Sequence, residues 1–375
     1  MNPFVTKGYV SPAYFCDRHK ETHELLSNII NGSDTMLLSP RRYGKTGLIL
    51  HTFNILAENY PDIVPVYIDI FATISLPDFI KVLADGIVAR FPEKTPLGKK
   101  FMSFVRGLRP FITYDPVTAA PQFQFNYISE QDKEYTLKGL LDFLNNQGTE
   151  VVLAIDEFQQ IREYPEKNTE ALLRSYTQHT NNIRYIFSGS RQHVMAKMFH
   201  EAGSPFFSSA KSLSIDKIDA EEYAAFIRQK FEEGGIKTED EAIRLILDWS
   251  RRHTFYTQSL CNQVYSMSPE VVNIRTVESA CNDILDKEAP TFLQYRNMLT
   301  PAQWKMLIAI AKEDKVRHIT SEAFMSKYRL SNATTAKRSV LSLAGQELLM
   351  AENTKNGTDW SVYNLFFSRW LQREY

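Results

Sequence analysis

Two short stretches carry residue types that could act on a phosphate. Residues 39 to 46 read Ser-Pro-Arg-Arg-Tyr-Gly-Lys-Thr, close to the phosphate-cradling pattern G-x-x-x-x-G-K-[ST]. Successive backbone N–H groups running into a helix N-terminus suit an anion. Gly44 lets the main chain approach phosphate, Lys45 can reach the β- and γ-phosphates, and the Thr46 hydroxyl suits Mg2+. Pro40, Arg41, Arg42, Tyr43, Gly44, Lys45, Thr46 and Gly47 are the expected contacts of ATP. Ser39 stands where the pattern has its first glycine, and Pro40 lacks an N–H. Both precede the amides that usually donate to phosphate, so the cradle survives. Arg41 and Arg42 either add positive potential or are ordinary exposed arginines beside a turn.

About 110 residues later, Val151-Val152-Leu153-Ala154-Ile155 runs into Asp156-Glu157. A buried, β-branched strand ending in two carboxylates complements a phosphate loop. Asp156 is expected to hold Mg2+, and Glu157 to orient and deprotonate an attacking water. The second role is one that a P-loop kinase would not need. Asp69, at the end of another strand, either contacts Mg-bound water or caps a loop. His19 and His23 stand four apart on a helix, but no third metal ligand accompanies them, so they read as ordinary histidines.

The elements that must position these residues alternate. Thr35–Leu38, Val64–Ile70, Val151–Ile155 and Ile183–Phe187 read as strands. Gly44–Glu58, Leu76–Phe91, the Leu137–Leu144 stretch and Thr169–Thr180 read as helices. Strands separated by helices imply an α/β fold with a parallel sheet. Residues 92–130 are broken by Pro92, Pro96, Pro110, Pro116 and Pro121. They read as an irregular insertion with one short helix, a packed connector rather than a cap.

After about residue 215 the strands stop. Asp219 with Glu222, and Thr238 with Glu241, look like capping boxes, and Thr276 looks like the opening of another helix. Thr300, Pro301 and Gln303 give another strong helix start. Helices over Ser321–Tyr328 and from Ser331 follow. Strands at Leu348–Ala351 and Trp360–Tyr363 then flank an Asn356-Gly357 turn, before a last helix with Phe366, Phe367, Trp370 and Leu371. Three helices and a hairpin form a winged-helix pattern. The expected domains are 1–215, 216–290 and 291–375.

With 375 residues, two or three domains are expected, and 43% hydrophobic and 23% charged residues are ordinary for globular chains. A net charge of -1 argues neither for nor against nucleic acid. Lys327, Arg329, Lys337 and Arg338 flank the expected recognition helix and could meet DNA phosphates, though winged helices also contact proteins. Cys16, Cys261 and Cys281 show no CxxC spacing and read as buried small hydrophobes. The start lacks a signal-peptide pattern and no apolar run is long enough to span a bilayer. A cytoplasmic protein is expected.

The Ser39–Thr46 loop, with Leu153-Ala-Ile-Asp-Glu-Phe158, resembles the archaeal-type ATPases of the AAA/STAND group of P-loop proteins. Tyr14-Phe-Cys-Asp-Arg-His-Lys-Glu21 is similar to that family's F-x-x-R-x-x-E segment near the adenine, which implies Arg18 at the nucleotide. Phe187-Ser-Gly-Ser190 resembles its sensor strand. The resemblance implies a sensor between Asp156 and the γ-phosphate, Ser188 or Ser190, with Ser190 carried as the site residue. Tyr363–Leu371 resembles the end of its winged helix. The family layout is ATPase core, helical lid and winged helix. Relatives carry a Gly-x-Pro motif in the lid. The corresponding stretch here, His253-Thr-Phe-Tyr-Thr-Gln258, has neither residue. No clear arginine finger stands out: Arg191, Arg251 and Arg252 are candidates that read rather as surface charges.

The expected function is an ATP-driven switch. It would hydrolyse Mg-ATP slowly or on stimulation and report nucleotide state through the winged helix to a protein partner or a second copy. Two alternatives stay open: a nucleic-acid-binding regulator with ATP as a structural ligand, and a P-loop kinase using residues 92–130 for its acceptor.

Overall fold

The computed structural model describes residues 2–92, 94–108, 110–114, 121–354 and 357–375. They form two compact units. One is Lys7–Ile218, and the other is Asp219–Tyr375 together with the N-terminal residues up to Thr6.

The first unit contains α1 (His19–Ile30), β1 (Thr35–Leu38), α2 (Lys45–Asn59), β2 (Ile63–Asp69), α3 (Leu76–Arg90), α4 (Pro96–Gly107), β3 (Phe111–Tyr114) and β4 (Pro121–Gln124). It continues with α5 (Glu130–Asn145), β5 (Glu150–Asp156), α6 (Thr169–Thr177), β6 (Ile183–Gly189), α7 (Gln192–His200) and β7 (Lys211–Ser214). Five strands make a parallel sheet in the order β2-β5-β6-β1-β7. Side chains of a strand alternate between faces, and β5 shows how that builds three layers. Val151, Leu153 and Ile155 pack with Phe79, Leu83 and Ile87 of α3 and with Leu137 and Leu140 of α5. Val152 and Ala154 face the other way, among Leu25 and Ile29 of α1 and Leu48, Ile49 and Leu56 of α2. Each such buried aliphatic side chain contributes about 1.5–3 kcal/mol. Leu83→Ala, in a fully buried position, would cost about 2–5 kcal/mol.

The strand expectations fall on β1, β2, β5 and β6, to which the structure adds the edge strand β7. Residues 92–130 hold the expected short helix, α4, opened by Thr95 accepting from the Gly98 amide. They also hold an unexpected antiparallel hairpin, β3–β4. The insertion is packed: Phe101 lies 6.1 Å edge-on from Phe123 and 5.0 Å from Phe143 of α5. Pro116 lies outside the described residues. The helix expected around Leu137–Leu144 starts earlier, at Glu130. Ser129 and Asp132 there form a reciprocal capping box.

The second unit contains α8 (Ala220–Glu233), β8 (Lys237–Thr238), α9 (Asp240–Trp249), α10 (Thr254–Ser266), β9 (Val271–Val272) and α11 (Ile274–Met298). The rest is α12 (Pro301–Glu313), α13 (Glu322–Lys327), α14 (Ala333–Gly345), β10 (Leu349–Thr354), β11 (Gly357–Val362) and α15 (Leu365–Glu374). Asp219 caps α8 by accepting from the Glu221 and Glu222 amides. The Thr238 expectation is corrected. Thr238 belongs to β8, which pairs in parallel with β9, so the strands do not stop at 215, and α9 is preceded by Glu239 instead. Thr276 is not a cap either, because Asn273 caps α11 and accepts from the Thr276 amide at 3.1 Å. The Thr300–Gln303 box is present.

Helices α12, α13 and α14 with the antiparallel pair β10–β11 make the winged helix. Val316 adds an isolated antiparallel bridge to Trp360 of β11. Of the expected turn, Asn356 lies outside the described residues, and Gly357 opens β11 at φ 125°. Helix α15 closes the unit. Phe367 lies 5.0 Å from Phe292 and 5.9 Å from Trp304, and Phe366 4.8 Å from Tyr256. Arg251 and Arg252 follow α9 in consecutive left-handed conformations, φ 55° and 57°. Arg369 of α15 donates to the Trp249 carbonyl at 3.1 Å, and Arg251 pairs with Asp314.

The cysteines are buried and none forms a disulfide. No helix among the described residues is long and apolar enough to cross a membrane.

Candidate nucleotide site

The site is built within the first unit, at the C-terminal edge of its sheet, where open α/β folds take their ligands. Strand β1 delivers a fully buried Ser39 and the chain then turns. Arg42 and Gly44 take left-handed conformations, φ 65° and 97°. Alternation of hand turns successive amides toward one point. The value at Gly44 suits a residue without Cβ. Helix α2 begins at Lys45, so its positive end and first amides lie at the same turn.

Lys45 is only 6% exposed. Its ammonium reaches the Ser39 carbonyl at 3.5 Å and Glu157 Oε1 at 3.9 Å. Both are longer than charge-assisted hydrogen bonds of about 2.7–2.9 Å. Burial lowers its pKa, against the raising effect of Glu157 and Asp156. It is a desolvated cation whose two acceptors both lie beyond charge-assisted hydrogen-bond distance.

Asp156 ends β5, in register with Asp69 of β2. Its carboxylate collects four donors. Oδ2 accepts from the Thr46 hydroxyl at 2.6 Å and the Tyr67 hydroxyl at 3.0 Å. Oδ1 accepts from Ser188 Oγ at 2.7 Å and the Glu157 amide at 3.0 Å. Glu157 is left-handed, φ 57°, and this turns its side chain off the strand. Its Oε2 accepts from Ser190 Oγ at 2.6 Å and from Gln159 Nε2. The two serines therefore have different partners, Ser188 behind Asp156 and Ser190 on Glu157. Asp69 Oδ1 caps its own turn by accepting from the Phe71 amide at 2.9 Å, and burial raises its pKa.

Arg18 precedes α1 at φ 68° and is buried. It donates to Glu21 at 2.9 Å and to the Tyr43 carbonyl at 3.4 Å, so it braces the main chain of the loop. The Phe15 ring covers Gly47, where a Cβ would come within 3.4 Å of it. That ring also stacks on His51 at 4.3 Å. Arg41 stands over the Phe71 ring at 5.9 Å. Pro40 and Tyr43 complete the loop. Arg191 pairs with Glu163 at 2.9 Å. Arg251 and Arg252 belong to the second unit, where Phe255 and Tyr256 of the His253–Gln258 stretch pack on Phe366.

Sequence reasoning missed Tyr67, Gln159 and the Phe15–His51 stack. Tyr67 had a signal: two residues before Asp69, it shares a face of β2 with a residue aimed at the ligand edge.

One hydroxyl and one carboxylate, Thr46 and Asp156, meet beside a buried ammonium. Magnesium takes most of its ligands from water and phosphate oxygens and needs only one or two protein groups. The donor set fits it. Among the described residues no group of three or more His, Cys, Asp or Glu side chains could hold a metal ion, and a metal held this way needs none. The exposed His19 and His23 belong to no such group.

A parallel sheet carrying a phosphate loop on one strand and an aspartate on another defines a P-loop nucleotide-binding protein. Residues 15–250 match the model of an ATPase domain predominantly from Archaea, and residues 290–373 that of a probable winged helix domain. The chain belongs to this family of archaeal-type ATPases. No curated protein matches it. Among solved structures it shares its fold with the Walker-type ATPase of Pyrococcus abyssi, at 17% identity, 99% coverage of both chains and a TM-score of 0.66. The ORC2 protein of Aeropyrum pernix, solved as ADPNP–ADP complexes, aligns at 15% identity over 99% of this chain and 96% of that one, with a TM-score of 0.61. The ORC1 protein of Aeropyrum pernix in complex with DNA aligns at 14% identity over 97% and 94%, with a TM-score of 0.53.

Proposed function

We propose that this ATPase is a nucleotide-dependent switch of the AAA/STAND kind. It binds Mg-ATP at the Ser39–Thr46 loop, hydrolyses it slowly or on stimulation, and signals through the winged helix to a protein partner or a second copy. The observation that carries this reading is the bond from Thr46 to Asp156, 2.6 Å long across 110 residues of sequence. It joins the loop to the strand end beside a buried ammonium.

In this reading the amides of residues 41–47 and Lys45 hold the phosphates. Thr46 and Asp156 hold Mg2+, which when bound neutralises charge on the β- and γ-oxygens. Glu157 orients a water and takes its proton at Oε1, while Ser190 and Gln159 fix Oε2. Ser188 fixes Asp156 from within the sheet, and Arg18 braces the loop. The pairing of Arg369 and Arg251 with the α9 end and Asp314 supports the winged helix and the helices before it responding together.

The test is ATP turnover and nucleotide binding with and without duplex DNA, with transfer products also sought. Lys45→Ala should abolish binding, and Glu157→Gln should retain ATP but stop turnover. Unchanged phosphate release by both variants excludes this site as the hydrolytic one. A second reading, ATP-liganded regulation on nucleic acid, is favoured by the exposed Lys337 and Arg338 on α14 and by the DNA complex of a structure with this fold. It predicts negligible turnover and salt-sensitive DNA affinity.

A further inference from the structure

An ionised carboxylate offers about four lone-pair positions, and at Asp156 protein donors take two on each oxygen. A magnesium held by Thr46 keeps most of its waters, and a carboxylate beside it serves by accepting from one of them. For Asp156 to do so, one of the four donors must leave.

The four are not equally free to move. The Glu157 amide is main chain, fixed by the left-handed turn at that residue. Ser188 is fully buried in β6, with a 2.7 Å bond. Thr46, whose oxygen would face the cation, would still need an acceptor for its hydrogen, and its bond is the shortest, 2.6 Å. Tyr67 differs. Its hydroxyl sits at the end of a long side chain, the residue is half-buried, and its bond is 3.0 Å. A phenol keeps its proton near neutral pH and an ionised carboxylate only accepts, so toward Asp156 the Tyr67 hydroxyl donates.

We infer that Tyr67 is a placeholder for a magnesium-bound water. Its hydroxyl occupies the lone pair of Asp156 Oδ2 that the metal's hydration shell takes, and loading of the site swings it aside. Tyr67 thus competes with Mg2+ and raises the magnesium concentration at which the nucleotide is held. The inference rests on the nucleotide reading above. It is opposite in sign to the ordinary view of such a contact, in which the tyrosine would hold Asp156 in place for the metal.

Tyr67→Phe keeps the ring and deletes the donor. Tyr67→Leu deletes both and guards against an effect peculiar to one packing. The probe is a fluorescent, non-hydrolysable ATP analogue titrated at a series of MgCl2 concentrations and in excess EDTA. Thermal unfolding of each variant is followed in parallel. The expected result is a half-saturating Mg2+ concentration lowered about 10-fold or more, the scale of one hydrogen bond to a charged group, with metal-free analogue affinity unchanged. A raised or unchanged magnesium requirement in a folded variant overturns the inference and leaves the nucleotide reading standing. If the wild-type chain does not bind the analogue with Mg2+, the nucleotide reading fails and takes this one with it.

Discussion

Lys45→Met separates the two things a buried ammonium does, because it should change them in opposite directions. Without nucleotide, the Lys45 charge is desolvated at 6% exposure, and among the described residues its acceptors lie at 3.5 and 3.9 Å. A buried polar group short of good partners is destabilising by about 1–3 kcal/mol. Methionine keeps most of the unbranched stem and its packing. The variant without ligand should therefore be more stable by about 1 kcal/mol. For a unit of this size that is about 2–4 °C in Tm. With nucleotide the order should reverse. Wild type at a hundredfold excess over Kd gains about 2.7 kcal/mol, and the variant, having lost its phosphate contact, gains none. Thermal unfolding by circular dichroism, with and without Mg-ADP, reads both signs in one experiment. A variant that melts below wild type without ligand, or one that ADP stabilises as much as wild type, would refute the account of Lys45 as an under-partnered cation waiting for phosphate.

Three further outcomes follow from the same geometry. Lys45 has a folded pKa below its ordinary 10.5, so between those values the unfolded chain binds the extra proton and stability should rise with pH. That component should be missing from Lys45→Met in melts between neutral pH and pH 10. Asp34 shows the converse. Burial pushes it up to about 6 from 3.8 while it accepts from the Tyr185 amide at 2.9 Å. The folded chain holds that proton more tightly, so its stabilising share is complete below 3.8 and lost as pH rises through about 6. Asp34→Asn should flatten that fall in Tm. Finally, Ser188→Ala and Ser190→Ala should separate. Loss of the Asp156 partner should change magnesium dependence. Loss of the Glu157 partner should lower turnover, about tenfold for 1.4 kcal/mol, with nucleotide affinity kept. Equal effects of both on both quantities would contradict the division of the serines.

What could be read from the sequence tracks where burial leaves a periodic mark. Strand β1 falls where expected, and β5 carries a continuous apolar run because it is buried on both faces. Strand β7, Lys-Ser-Leu-Ser, was invisible. It lies at the sheet edge, and only Leu213 is buried, so it has one apolar residue to show. The hairpin β3–β4 was hidden by the prolines around it and by the exposure of Phe111, 63%. Thr238 carried a genuine capping pattern and lost it to the pairing of β8 with β9, a tertiary contact that no local rule sees. At the site, the loop and the carboxylates were legible because the chemistry fixes their types. Tyr67 and Gln159 act through reach across the sheet or turn, and reach is a property of packing rather than spacing.

The second unit includes residues on both sides of the first in sequence. Phe4, 1% exposed, packs 4.8 Å from Phe231 and 6.2 Å from Tyr265, and its carbonyl accepts from Asn262. During synthesis at about 5–20 residues per second, this phenylalanine emerges long before its partners, which follow only after the whole nucleotide-binding unit has been made. The ribosome thus imposes an order of assembly: the sheet can close and meet its ligand first, while the start of the chain waits undocked for the helices that will cover it.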